Sequence, residues 1–277
     1  MIKSSAFSVL MSLYAKDNPA MAGEALESVL NQTVKPDEII LVVDGAVPEE
    51  LNAVIEKYSA CNKSIKVLRL AENKGLANAL KEGLDIVTNP LVARMDSDDI
   101  SLPNRFELQL SVFAKEKDLD ILGGQITEID AQTKKTLSSR KVPTSHQEIA
   151  SYMKLRCPFN HMTVMFKKTA VLSAGGYIPL HLMEDYYLWA RMLTHGLKMQ
   201  NLPDVLVLAR ADDKLFERRG GWKYFKSNKA LQDIFLKMGL ISLPRYLFNI
   251  VIRFAVQVFM PNSIRTLFYK TALRKNG

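Results

Sequence analysis

The stretch RMDSDDISLPNRF, residues 94–106, places Asp96, Asp98 and Asp99 within four positions, directly behind the apolar run PLVA. Like charges this close repel one another, so the cluster implies a positive group held among them. The D-x-D pair Asp96 and Asp98 offers two hard oxygen donors, which suits a Mg²⁺ or Mn²⁺ ion that keeps water and takes further oxygens from a diphosphate. The same letters also fit an acidic turn, or Asp99 or Ser101 capping a helix that starts near Pro103. A second pair of acids, Glu184 and Asp185, stands before the apolar run YYLW. That placement reads as a helix N-terminus, where the dipole stabilises negative charge.

The elements that would position these acids follow from periodicity. FSVLMSL (7–13), EIILVV (38–43), IKVLRL (65–70) and PLVARM (90–95) are short apolar runs of buried-strand type. Helical patterns separate them. Residues 19–31 open with Pro19 and put Ala22, Leu26, Val29 and Leu30 on one face, and 48–58 and 75–87 behave alike. Strand and helix alternating at this pitch predict right-handed crossovers and a mostly parallel sheet flanked by helices, an α/β fold. Ligands of such sheets bind beyond the carboxyl ends of the strands. The four predicted strands end at YAKD, at Asp44-Gly45, at AENKG and at the acids 96–99, so each end supplies candidate ligands. The first strand is followed by no G-x-G-x-x-G, and no G-x-x-x-x-G-K-[ST] occurs, which argues against a dinucleotide cofactor and a P-loop.

With 277 residues, 48% hydrophobic and 24% charged, the chain can bury a sizeable core. Cys61 and Cys157 are too few and too unpatterned for a disulfide framework or a zinc site. The first residues lack the order of a secretion signal, and a cytoplasmic protein is expected. The net charge of +8 is concentrated in residues 214–277, where 13 lysines and arginines face only Glu217 and Asp233. Within this tail, Arg245, Asn249, Arg253 and Gln257 form a polar stripe through the apolar run 243–260. The run is too interrupted to span a bilayer. With Arg265, Lys270, Arg274 and Lys275 behind it and RRGGWKYFKSNK (218–229) before it, an in-plane helix beside anionic lipid is expected. A helix packed on the protein or on a partner copy is the alternative.

The order of SVLMSLYAKD, SVLNQT, EIILVVDG, NKGLANAL, MDSDDISLPNRFELQL, NHMTVMFKK and MEDYYLWARM resembles the family 2 glycosyltransferases over residues 6–210. The resemblance implies a GT-A fold, Rossmann-like, with a catalytic domain over 1–213 and a C-terminal helical extension over 214–277. The nucleotide-sugar half would cover about 1–100 and the acceptor half about 101–213. It implies that Asp44 accepts from the uracil ring, although D-D-G-S is reduced here to Val43-Asp44-Gly45, and that Leu13 and Tyr14 lie in the loop over base and ribose. Asp98 would be the direct metal ligand, Asp96 would stand nearer the ribose, and His161, read in a strand, would contact metal or phosphate. Pro103 and Arg105 match a P-x-R read as helix start and packing. Asp185 matches the general base, with Glu184 beside it on the acceptor side; Trp189, one helical turn on, either lines the acceptor pocket or packs. The activity implied is metal-dependent inverting transfer of a hexose or N-acetylhexosamine from a UDP-sugar to a lipid-diphosphate-linked saccharide. It belongs with bacterial O-antigen or exopolysaccharide synthesis at the inner membrane face.

Two other classes compete. A metal-dependent nucleotidyltransferase would share the D-x-D, but predicts a Gly-rich phosphate loop after the first strand, where MSLYAKDNP stands. A nucleic-acid-binding module would need aromatics interleaved across a sheet or a major-groove helix, and the sequence offers neither.

Overall fold

Apolar runs of the first hundred residues become β1 (Phe7–Tyr14), β2 (Glu38–Asp44), β3 (Ile65–Leu70) and β4 (Leu91–Met95), paired in parallel in the order β3-β2-β1-β4. The computed structural model describes residues 6–211 and 220–260. All seven residues of β2 are buried, as both faces of a parallel sheet require. Helices α1 (Pro19–Leu30), α2 (Glu49–Cys61) and α3 (Leu76–Ile86) make the crossovers. Asn18 caps α1, its side chain accepting from the amides of Ala20 and Met21. Alternate strand residues feed two cores. Leu10, Ile40, Val42 and Val92 meet α3 on one face, and Val9, Met11, Ile39 and Leu41 meet α1 on the other.

The sheet continues through the second half of the chain. After β4 the order runs β8-β6-β9-β5, with β7 pairing the later residues of β6 off this path. These are β5 (Ile100–Ser101), β6 (Leu119–Asp130), β7 (Thr136–Arg140), β8 (Met165–Lys167) and β9 (Lys198–Ala211). Helices α4 (Arg105–Lys115), α5 (His146–Met153), α6 (Lys168–Ser173) and α7 (Glu184–Thr194) pack around them. One sheet therefore takes strands from both 1–100 and 101–211.

Two local expectations change. Neither Asp99 nor Ser101 caps α4, whose N-cap is Asn104, because Asp99 accepts from the Arg210 amide at 2.8 Å and Ser101 bonds Ser28 and Gln32. His161 is not in a strand but in a 3₁₀ turn (His161–Thr163), with β8 beginning at Met165. There Thr163 Oγ1 donates to the Asn160 carbonyl and Asn160 donates to that of Gly124, which draws the backbone into a turn.

The tail forms α8 (Gly221–Lys237), α9 (Leu243–Phe254) and a π-helical turn (Ala255–Phe259). Leu231, Phe235 and Ile241 join the same core cluster as Tyr186 and Trp189. The polar stripe faces inward. Asn249 donates to the Lys154 carbonyl and to Gln232, and Arg253 donates to the Leu155 carbonyl at 2.6 Å and to Asn228. Among the described residues no helix is long and apolar enough to cross a membrane. Arg218 and Arg219, and Arg265, Lys270, Arg274 and Lys275, lie outside the described residues.

Candidate active site

The carboxyl ends of β1, β2 and β4 lie at one edge of the parallel half-sheet, and the acids predicted there gather at it. Ligand oxygens of Asp96, Asp98 and Asp99 all lie within 4.8 Å of one another. Asp96 is half-buried, Asp98 exposed and Asp99 buried. Asp17, at the turn after β1, joins their surroundings, since its carboxylate accepts from the Ser97 hydroxyl at 2.9 Å and the Tyr14 amide at 3.0 Å. Although Asp98 reaches solvent, desolvation by the crowded loop and repulsion from Asp96 and Asp17 push its carboxyl up to about 6. Burial, then Asp96 and Asp98, push Asp99 well above the usual range. A dication removes that repulsion and matches an all-oxygen donor set, so the cluster fits Mn²⁺ or Mg²⁺.

The loop is held by arginines. Arg94, 2% exposed, pairs with Asp96, while its Nε and Nη1 have no hydrogen-bond partner. Its charge lowers the carboxyls of Asp98, Asp99, Glu184 and Asp185, so both acid groups lie within its electrostatic reach. Arg105, fully buried, donates to the Arg94 carbonyl at 2.7 Å and to Gln109, which bears out its packing role. Arg210 on β9 donates to the Asp98 carbonyl and to Glu24 of α1, clamping the acidic loop between two elements.

At the end of β2, Asp44 is 2% exposed and both carboxylate oxygens are engaged, Oδ1 by the Lys74 amide at 2.7 Å and Oδ2 by that of Gly75 at 2.9 Å. It anchors the β3–α3 loop. The turn needs Gly45, whose φ is +82° and whose position would put a Cβ 2.6 Å from the Asn73 amide nitrogen. Leu13 is buried, so only its backbone can meet a ligand, whereas Tyr14 is exposed.

The second acid pair opens α7. Burial and the neighbouring Asp185 charge raise Glu184 to about 7. Burial also raises Asp185, opposed by the Tyr186 amide that donates to Oδ1 at 2.7 Å. The Cys157 thiol donates to Asp185 Oδ2 at 3.6 Å, and burial keeps that thiol protonated. A buried carboxylate of raised pKa is suited to accept a proton.

His161 and Trp189 meet in one aromatic group with Tyr177. His161 lies outside the carboxylate group. Its Nε2 pairs with the Tyr177 hydroxyl at 3.0 Å, and burial and Arg94 hold the ring neutral. Trp189 is fully buried against Phe159 and His161, with ring centroids 5.5 and 5.9 Å away, the packed arrangement its spacing also allowed. Arg210 and Cys157 carried no signal in the spacing; Asp17 stood in the strand end YAKD, and Arg94 was a cation inside an apolar strand next to the D-x-D.

A carboxylate cluster at the carboxyl ends of parallel strands, and a second acid pair that feels the charge of the same buried arginine, fit an enzyme that handles a metal-bound, phosphorylated ligand. The chain belongs to the family described as Glycosyl transferase family 2, which matches residues 8–172. It is 40% identical over 269 residues to the Escherichia coli UDP-Gal:alpha-D-GlcNAc-diphosphoundecaprenol beta-1,3-galactosyltransferase, with 97% of each chain covered. It is 38% identical over 264 residues to the amylovoran biosynthesis glycosyltransferase AmsE of Erwinia amylovora, covering 95% of this chain and 98% of that protein. Residues 1–349 of S. aureus TarS in complex with UDP-GlcNAc superpose with a TM-score of 0.67 at 18% identity, over 95% of this chain and 75% of that one. The fold is GT-A, and the protein is a glycosyltransferase.

Proposed function

We propose that this enzyme transfers a hexose or N-acetylhexosamine from a UDP-sugar to a hydroxyl of a saccharide borne on a lipid diphosphate, with inversion. The product would serve bacterial surface polysaccharide synthesis of the O-antigen kind, at the inner face of the cytoplasmic membrane, where the basic apolar tail would attach the protein peripherally. The observation that carries the substrate class is the near full-length likeness to the galactosyltransferase named above, together with a carboxylate cluster fitted to a donor diphosphate.

Asp98, Asp96 and Asp99 would hold Mn²⁺ or Mg²⁺. Bound there, the ion would supply Lewis-acid neutralisation of the leaving diphosphate. Arg94 adds a fixed positive charge beside Asp96. Asp44 sets the Lys74–Gly75 loop and offers its remaining lone pairs to the uracil N3–H. Leu13 contributes backbone groups and Tyr14 its ring. An acceptor hydroxyl ionises far above neutral pH, so it needs a positioned carboxylate, and Asp185 takes that proton while Cys157 and the Tyr186 amide fix its orientation. Glu184 stands beside it on the acceptor side. One base opposite the leaving group gives a single displacement, so an α-linked donor yields a β linkage. In this reading residues 1–100 form the nucleotide-sugar half and 101–213 the acceptor half.

The test is UDP release from a panel of UDP-sugars with a synthetic N-acetylglucosamine-diphospholipid, with Mn²⁺ or with EDTA. The expected result is metal-dependent turnover of one donor that falls at least ~100-fold in Asp185→Asn and in Asp98→Asn. Turnover of no donor with any metal would overturn the reading.

A further inference from the structure

The tail helix α9 is inside out relative to an ordinary surface helix. Asn249, Arg253 and Gln257 point into the protein, while Leu243, Leu247, Phe248, Val251 and Ile252 are 41–66% exposed along the other side. The apolar strip extends past the helix. Phe259 is 72% exposed and meets Phe254 edge to face with centroids 5.1 Å apart, and Trp222, 52% exposed, lies 6.0 Å from the same ring. Soluble surfaces seldom keep so continuous an apolar patch.

We infer that this face, formed by α9, the π-turn and the start of α8, docks on the surface of an anionic lipid bilayer, lying in the interface without crossing it. Charge decides for lipid over a second copy. The patch is bordered by cations, with Lys226 over the Trp222 ring at 5.8 Å, Arg245 over the Phe248 ring at 5.7 Å, and Lys223 exposed beside Trp222. Two like faces would bring these cations together, whereas acidic headgroups neutralise them. Residues 261–277 add Arg265, Lys270, Arg274 and Lys275 with no acid. Exposed Trp and Phe among lysines are also the side chains that settle at the headgroup boundary. The inward polar stripe ties the face to the active site. Arg253 holds the Leu155 carbonyl, two residues before the Cys157 that contacts Asp185, and Tyr186 beside the base packs on Phe235 of α8. The purpose of this surface rests on the proposed lipid-linked acceptor, which it would bring to Asp185 in the plane of the membrane.

The test is co-sedimentation of the full chain with phosphatidylcholine vesicles, with and without phosphatidylglycerol. In parallel, transfer to a short-chain acceptor analogue is measured without vesicles. Wild type is expected to bind the anionic vesicles, less so at high salt. A Leu247→Glu/Val251→Glu double variant should bind at least ~10-fold more weakly, and Lys223→Glu/Lys226→Glu roughly fivefold more weakly per charge, both keeping transfer to the analogue. Leu137→Glu, exposed on β7, should change neither. If the first variant does not fold, the lysine variant carries the test. The inference is overturned if wild type ignores anionic vesicles, if the variants bind undiminished, or if the double variant only dissociates a dimer. Vesicle binding without any transfer would leave this surface standing and sink the function reading; transfer without vesicle binding would do the reverse.

Discussion

Replacing Glu184 by Gln should stabilise the protein, and only at neutral to alkaline pH. Burial and the adjacent Asp185 charge lift the Glu184 carboxyl from its ordinary 4.5 to about 7. Folded protein thus holds this proton more tightly than unfolded chain, so the stability it contributes is fully present below pH 4.5 and lost as pH rises through 7. A shift of that size corresponds to roughly 3 kcal/mol, which partial solvent contact reduces to about 1–3 kcal/mol. Glutamine keeps the shape and never ionises. Urea unfolding in EDTA should therefore show Glu184→Gln more stable than wild type by that amount at pH 8, with the difference closing towards pH 4.5. Removing the Glu184 charge also removes repulsion on Asp185, so the acid limb of kcat/KM should move to lower pH. A stability difference that does not vary with pH, or a variant weaker at pH 8, would refute the reasoning.

Glu38 should behave with the opposite sign. Burial opposes its ionisation, but Lys66, Ser8 and Thr88 hold it at about 2, so about 3 kcal/mol of stability is present above pH 4.5 and lost as pH falls through 2. Glu38→Gln should cost that much in neutral urea titrations and little near pH 2. Asp44→Ala should orphan the Lys74 and Gly75 amides, costing about 2–4 kcal/mol in unfolding and raising KM for the donor more than it lowers kcat. Arg94→Met removes the charge that lowers both acid groups, so the acid limb of kcat/KM should shift upward.

Periodicity placed β1 to β4 and the three crossover helices because the buried strands of a parallel sheet are mostly apolar, β2 wholly so between its end carboxylates, and even the edge strand β3 keeps four apolar residues of six. Residues 101–211 carried a weaker signal. Their strands β5 and β8 are two and three residues long, below any readable period. Within the site, Asp96, Asp98 and Asp99 were legible because they are neighbours in the chain. Arg210, which clamps them, comes from 111 positions away, and Cys157 reaches Asp185 over 28. Arg94 sits inside the run PLVARM, where the letters do not reveal that its charge acts on both acid groups. For α9 the sequence showed two faces and not which one meets the protein. The polar stripe went inward because the carbonyls of Lys154 and Leu155, at the end of α5, needed donors.

The most direct test of the central claim is the anomeric configuration of the product formed from an α-linked UDP-sugar, read from its proton coupling by nuclear magnetic resonance, in wild type and in Asp185→Asn. A single displacement with Asp185 as base predicts a β linkage made by wild type, and none made at a comparable rate by the variant. An α-linked product, or full activity without the Asp185 carboxylate, would contradict the account.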